Sequence, residues 1–347
     1  MSRFSFHTDS TNLLPHGGQR RAAAERYGIP LADWVDLSTG INPHGWPVPA
    51  IPPSAWEKLP EDNDGLEQTA RIYYGTNSLL AVAGSQAAIL ALPRLRPPCR
   101  VGVIAPGYNE HAHAWQRSGH TVMSVSADAL ASVATNVDVL LAIHPNNPTG
   151  ARFTTEILLH WHAQLAARGG WLVVDEAFID ATPEHSLAPH CPRPGLIVLR
   201  SLGKFFGLAG ARVGFVIAEP VLLKQLQTLL GPWTVTAPSR WAAMQALSDR
   251  AWQEATRLLL IRSGERLAEL LTQYGLAPSG GCSLFQWVRT PQAAALHEQL
   301  ARRGILTRLF DAPVSLRFGL PGGDSDWARL TVALTAVCQP ESHRAAR

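Results

Sequence analysis

Among the residues able to do chemistry, Lys204 stands out because it closes the run Ser201-Leu202-Gly203-Lys204 just after an apolar stretch at 197–199. A lysine amine is the group that forms a Schiff base with an aldehyde. Gly210-Ala211-Arg212-Val213-Gly214 follows closely. Ser201 and Arg212 suit a phosphate, the guanidinium through a bidentate fork that lysine cannot reproduce. Upstream, Asp175-Glu176-Ala177-Phe178 ends the apolar run 171–174. A carboxylate there could pair with a protonated ring nitrogen, or cap the next helix. His144-Pro145-Asn146-Asn147-Pro148-Thr149-Gly150 follows the apolar run 137–143, and Asn147 offers an amide N–H to a phenolate oxygen or simply makes a turn. Gly84-Ser85-Gln86 opens an apolar helix over 87–92. Glycine lets a phosphate approach the backbone, and the free N–H groups of a helix start favour an anion. Each motif alone has a commonplace structural explanation. Their order does not: phosphate cradle, amide, carboxylate, lysine and arginine each fall at a strand end or helix start.

The elements that must position these residues alternate. Helices are expected at 19–27, 110–118 and 154–168, the last capped by Thr154 or Thr155, and strands at 101–105, 137–143, 171–174, 196–199 and 212–218. Continuous apolar strands separated by helices predict a mostly parallel sheet covered on both faces, and ligands bind at the C-terminal ends of such strands. The Pro-rich span 43–60 reads as a connection between two bodies. A long helical stretch over 242–274 leads into strand, helix, strand, strand and helix at 284–288, 294–302, 305–307, 314–318 and 324–337, a small α/β domain. The expected division is 45–240 for the large domain, with 1–44 and 241–347 forming the second body.

Bulk composition excludes several classes. With 347 residues, 46% apolar and only 16% charged, the chain has material for two unequal cores rather than disorder. The net charge of +3 suits small anionic ligands, and without a dense Lys/Arg run no nucleic-acid partner is expected. Cys99, Cys191, Cys282 and Cys338 form no C-x-x-C pair, so no metal site is expected and free thiols in a reducing compartment are the plain reading. No signal-like segment opens the chain and no stretch approaches 18 uninterrupted apolar residues, which predicts a cytoplasmic protein without a membrane partner.

Taken together, Asn147-Pro148-Thr149-Gly150, Asp175-x-Ala177, Ser201-x-x-Lys204 and Arg212 resemble the fold-type I pyridoxal-phosphate (PLP) enzymes of the class I/II aminotransferase family, across nearly the whole chain. The resemblance implies PLP as cofactor, Lys204 as the Schiff-base lysine and Asp175 on the pyridine nitrogen. It implies Asn147 on the ring's 3′ oxygen, Ser85, Gln86, Ser201 and Arg212 on the phosphate, and Tyr108 stacked on the ring. Family members are usually homodimers with active sites at the subunit interface. One departure is Leu59-Pro60-Glu61-Asp62, where the family usually has a tyrosine that reaches the partner's cofactor phosphate. Either another residue, such as Tyr73 or Tyr74, supplies that contact, or it is absent.

The core motif does not choose the reaction. His16-Gly17-Gly18, Asp36–Pro43 as Asp-Leu-Ser-Thr-Gly-Ile-Asn-Pro, and Asp175–Asp180 look like the branch that decarboxylates L-threonine O-3-phosphate for the nucleotide loop of cobalamin. Its near relatives in the family transaminate a phosphorylated substrate such as histidinol phosphate, which is the alternative. Phe178 stands where many transaminases have a tyrosine that donates to the 3′ oxygen, a loss of about 1 kcal/mol of tuning, or it merely packs beneath the cofactor. By resemblance Arg317 grips the substrate carboxylate and Arg308 its phosphate, with His16 and Gly17 beside them and Asn147 shared. A non-catalytic binding role is the third possibility, disfavoured by the presence of Lys204, Asp175 and Arg212 together.

Overall fold

Runs of Val, Leu and Ile without polar alternation have no face to give to water, so their strands belong inside a covered sheet. The computed structural model, which describes residues 14 and 16–338, has such a sheet. Seven strands lie in the spatial order Leu79–Val82, Gly214–Ile217, Leu196–Ser201, Trp171–Asp175, Val139–Ile143, Arg100–Ile104 and Thr121–Val125. Every pairing is parallel except those of Gly214–Ile217, which runs against both neighbours. Val139–Ile143 is buried at all its positions. Helix Thr155–Ala166 packs on Trp171–Asp175, and helix Ser85–Ala91 on Leu196–Ser201 and Gly214–Ile217. Thr154 caps the former, its hydroxyl accepting from the Ile157 N–H at 3.4 Å, as its position in the sequence predicts.

A four-stranded antiparallel sheet, in the order Arg308–Asp311, Val314–Gly319, Phe285–Arg289 and Gly280–Cys282, forms the second body. Helix Arg250–Gln273 covers Phe285–Arg289, and helix Ala293–Ala301 covers Val314–Gly319. Val35–Asp36 pairs in parallel with Ile305–Leu306, so the early chain joins this body. Residues 1–13, 15 and 339–347, the outer parts of the second expected body, lie outside the described residues.

The structure differs from the sequence expectation at two points that matter for the site. The helix expected over 242–274 is two, Ala237–Ser248 and Arg250–Gln273. They break at Asp249, whose carboxylate accepts from the Trp252 N–H at 3.1 Å and from Trp46 Nε1 at 3.0 Å. The strand expected at 305–307 stops at Leu306, and the chain changes sheets at Thr307, so that Arg308 begins a new strand. There Arg308 stands directly opposite Arg317 in the antiparallel register.

Asn42 and the start of the connection at 43–60 clasp the lysine loop. The Asn42 N–H donates to the Lys204 carbonyl at 3.0 Å, Asn42 Nδ2 to the Phe205 carbonyl at 2.9 Å, and the Trp46 N–H to the Phe206 carbonyl at 2.8 Å. A Cβ on Gly207 would meet the Gly45 Cα at 2.5 Å, so the two segments approach as closely as they do only because both carry glycine.

Candidate active site

Three parallel strands end at one edge of the large sheet, and the expected residues sit on their ends. Ile143 is in register with Asp175, and Asp175 with Leu199; Asn147, Asp175 and Lys204 therefore leave the sheet on the same side. Asp175 is buried, with Oδ1 accepting from the Ala177 N–H at 3.0 Å and Oδ2 2.8 Å from His111 Nε2. His111 is equally buried, and with Asp175 ionised it donates from Nε2. That histidine is absent from the sequence expectation, although its place three residues beyond Tyr108, in the first turn of helix Glu110–Arg117, is the signal that could have found it.

Lys204 Nζ lies 5.3 Å from the centre of the Phe178 ring. Phe178 is itself packed edge-on against Phe285 and against Gly40, where a Cβ would come within 2.7 Å of the ring. Burial, together with the Arg317 and Arg212 guanidiniums and against the pull of Asp175, pushes the Lys204 amine down to about 8. About a tenth of the amine is then neutral and nucleophilic at pH 7, against well under a thousandth for an ordinary lysine.

The residues expected around a phosphate come together from three separate segments. Gly84 has φ +71°, and a Cβ there would stand 2.7 Å from Arg212 Nη2. One on Gly214 would stand 2.5 Å from the Ser85 nitrogen. Arg212 adopts a left-handed φ of 53°, a conformation that costs a non-glycine residue roughly 1–3 kcal/mol and collects at functional sites. Ser201 Oγ accepts from the Gly203 N–H at 3.2 Å, and Tyr108 donates its hydroxyl to Gln86 Oε1 at 3.0 Å. An exposed arginine, two serines and a helix start around a glycine make a donor set of the kind a phosphate ester needs, and Asp175 with Lys204 suits a cationic ring bearing an aldehyde.

On the open side is a cavity of about 180 Å³, walled by His16, Gly17, Ser38 and Thr39, by Tyr108 and Asn147, and by Arg308, Phe310 and Arg317, with Lys204 on it. Arg317 donates from Nη1 to Asn147 Oδ1 and from Nη2 to the Ser38 carbonyl at 2.6 Å. The first bond fixes the Asn147 amide so that its NH₂ remains as a donor. Burial and the facing Arg308 lower Arg317 to about 10. Like charges directly opposite on paired strands are unfavourable, and both side chains line the cavity that holds the lysine. Larger clefts of about 560 and 600 Å³ lie elsewhere, but neither includes the lysine.

Behind the site is a buried ion cluster. Arg200, one residue before Ser201, donates to Glu176 at 3.1 Å, to Ser186 Oγ at 2.9 Å and to Asp180. Burial raises Glu176, opposed by Arg200, Ser186 and the Leu187 N–H. Both tyrosines considered for the partner's phosphate belong to this cluster: Tyr73 donates to Asp180 Oδ1 at 2.9 Å, and the buried Tyr74 ring lies under the Arg200 guanidinium at 4.5 Å. Arg200→Met leaves two carboxylates buried without their cation, which costs about 3–5 kcal/mol. Urea denaturation of the apoprotein should show a clearly lower midpoint; an unmoved midpoint would remove the cluster from the account of stability.

A search of family models matches aminotransferase class I and II over residues 32–337. The chain belongs to the aminotransferase class I and II family. Among curated members of the family, it is 56% identical to the threonine-phosphate decarboxylase of Pseudomonas aeruginosa, covering 94% of this chain and 99% of that protein. It is 43% identical to the threonine-phosphate decarboxylase of a Sinorhizobium species, over 93% of this chain and 98% of that one. Among solved structures of the aminotransferase fold, the histidinol-phosphate aminotransferase of Sinorhizobium meliloti, in complex with pyridoxal-5'-phosphate, superposes with a TM-score of 0.81. Its identity is 23%, covering 97% of this chain and 98% of that one. The L-threonine-O-3-phosphate decarboxylase of Porphyromonas gingivalis superposes at 0.73, with 19% identity and coverage of 86% and 98%. At such identities the two structures establish the aminotransferase fold alone.

Proposed function

We propose that this chain is a PLP-dependent threonine-phosphate decarboxylase, converting L-threonine O-3-phosphate to (R)-1-amino-2-propanol O-2-phosphate, a product that fits cobalamin assembly. The observation that carries this is the 56% identity, over 94% of this chain, with a threonine-phosphate decarboxylase. The pocket chemistry agrees with it, because Arg308, Arg317 and His16 surround the same cavity as the lysine, matching a substrate with a phosphate at one end and a carboxylate at the other.

Bound in the cradle, PLP supplies an aldehyde for the substrate amine and a cationic ring that draws electrons from the substrate Cα. The chain's own residues do the rest. Ser85, Gln86, Ser201 and Arg212 would hold the cofactor phosphate, with Tyr108 on the ring and Asn147 donating to its 3′ oxygen. Asp175, oriented by its bond to His111, would hold the proton on the ring nitrogen, since a nearby opposite charge favours the charged form. Lys204 would hold the cofactor at its aldehyde carbon, with its amine on the cavity that takes the substrate. The Cα–carboxylate bond then breaks, carbon dioxide leaves, and Lys204 Nζ delivers a proton to Cα in its place. Arg308 and His16 bind the phosphate. Arg317 reaches the carboxylate side with two of its nitrogens already committed to Asn147 and Ser38. A looser grip on the leaving carboxylate is favourable, because holding it tightly stabilises the ground state rather than the transition state.

The deciding assay follows carbon dioxide and the cofactor spectrum together after L-threonine O-3-phosphate is added to the holoenzyme. Carbon dioxide release with the cofactor returning to its starting spectrum is expected. Conversion to pyridoxamine phosphate with histidinol phosphate, and no carbon dioxide, would make the chain an aminotransferase. Arg308→Ala is expected to raise KM for the phosphorylated substrate about ten- to a hundredfold, the loss of a charge-assisted contact to phosphate, while cofactor affinity changes little. Equal loss of both would move Arg308 to the cofactor. We also propose a homodimer, in which the partner would cover Trp56, Leu59 and Trp233, 68%, 63% and 59% exposed.

A further inference from the structure

We propose that Glu110 is a positioning residue for substrate specificity: it holds His16 so that the ring donates to the substrate's phosphate. The inference rests on the reading of the cavity as the site of a phosphorylated amine. Glu110 is 94 residues from His16 in the chain, yet its Oε1 lies 2.8 Å from His16 Nε2. Its other oxygen accepts from Gln86 Nε2 at 3.0 Å, and Gln86 Oε1 in turn accepts from the Tyr108 hydroxyl at 3.0 Å. One carboxylate thus joins the N-terminal segment to the residues placed around the cofactor. Glu110 does not line the cavity, whereas His16 and Tyr108 do, and its side chain is 14% exposed.

The backbone beside His16 is fixed from the opposite direction. The Gly18 N–H donates to Ser38 Oγ at 2.7 Å, and that hydroxyl donates to Asp36 Oδ1 at 2.5 Å. A Cβ on Gly17 would fall 2.3 Å from the Ser38 carbonyl oxygen. With the main chain held by Ser38 and the ring held by Glu110, His16 has little freedom except to present Nδ1. In the substrate complex the ring lies between two anions, the Glu110 carboxylate and the phosphate. With a proton on each ring nitrogen, one donated to each neighbour, both hydrogen bonds are charge-assisted.

Glu110→Gln separates this role from a plain tether. Glutamine keeps the length and can still hydrogen-bond both His16 and Gln86, so a structural link survives while the charge is lost. The expected result is a rise of about tenfold in KM for L-threonine O-3-phosphate, the difference between a charge-assisted and a neutral hydrogen bond. The kcat and the PLP affinity of the apoenzyme should stay within about twofold, the pattern of lost substrate binding. His16→Ala should raise KM at least as far, and the double variant should be no worse than His16→Ala alone, since Glu110 acts through His16. Additive effects, an unmoved KM, or PLP affinity falling in step with KM would each overturn the proposal, the last by placing the action of Glu110 at Gln86 and Tyr108. If the wild-type holoenzyme releases no carbon dioxide from threonine phosphate, the functional reading fails by itself. The same cycle is then read by calorimetry with O-phosphoethanolamine, a phosphorylated amine, where a tenfold, non-additive loss of affinity supports the role of Glu110 and its absence refutes it.

Discussion

Lys204→Ala abolishes turnover, with carbon dioxide release falling by at least about a thousandfold, the scale of a lost positioned acid–base group compounded by the lost anchor. The cofactor should still bind through its phosphate, since Ser85, Gln86, Ser201 and Arg212 are untouched, but as the free aldehyde. Substantial residual decarboxylation would mean that the proton at Cα comes from elsewhere and that the lysine assignment is wrong. A second readout uses the amine's own titration. Burial and the neighbouring guanidiniums lower Lys204 from the ordinary 10.5 to about 8. Only the neutral amine attacks an aldehyde, so capture of PLP by the apoenzyme should accelerate as pH rises and level off above about 8. An unperturbed lysine would still be gaining rate well beyond that point. A plateau absent until much higher pH would show that the lysine is more hydrated than its surroundings imply.

The parts of this site that were legible in the sequence are those that follow a buried strand. Val139–Ile143, Trp171–Asp175 and Leu196–Ser201 are almost wholly buried, so their apolar runs are unbroken and their C-terminal ends can be read off. Asn147, Asp175 and Lys204 are located by that logic. Thr121–Val125 escaped it because this edge strand is mostly exposed and has no continuous apolar run. Leu79–Val82 is only four residues long and reads as the prelude to Gly84. The single helix expected across 242–274 hides a cap, since Asp249 interrupts nothing in the apolar pattern but takes over the bonding of the next helix start. Pairings across long stretches of sequence were out of reach for a different reason. The bonds of His111 to Asp175 and of Glu110 to His16 span 64 and 94 residues, and no local rule joins them. Arg308 and Arg317 were both named, yet their direct opposition depends on the sheet change at Thr307, which the apolar pattern of 305–310 conceals.

Asp175→Asn is expected to lower kcat by about a hundred- to a thousandfold, the usual scale for removing one preorganised charge from a reacting centre, while PLP remains bound. Asparagine keeps the size of the side chain and can still bond to the Ala177 N–H and to His111, so the fold and the cradle should survive. What it loses is the negative charge that keeps the ring nitrogen protonated, and with it the electron sink for the breaking Cα bond. His111 acts on the same atom pair from behind: its bond to Oδ2 orients the carboxylate in a site where both groups are buried. His111→Phe should therefore produce a smaller loss in the same direction, and the two substitutions combined should cost little more than Asp175→Asn alone. A cofactor methylated on the ring nitrogen carries its positive charge without help, so it should restore part of the rate to Asp175→Ala and none to Lys204→Ala. Equal failure to rescue both would mean that Asp175 serves the fold rather than the ring. Rescue confined to Asp175→Ala would separate the residue that sustains the charge from the residue that moves the proton.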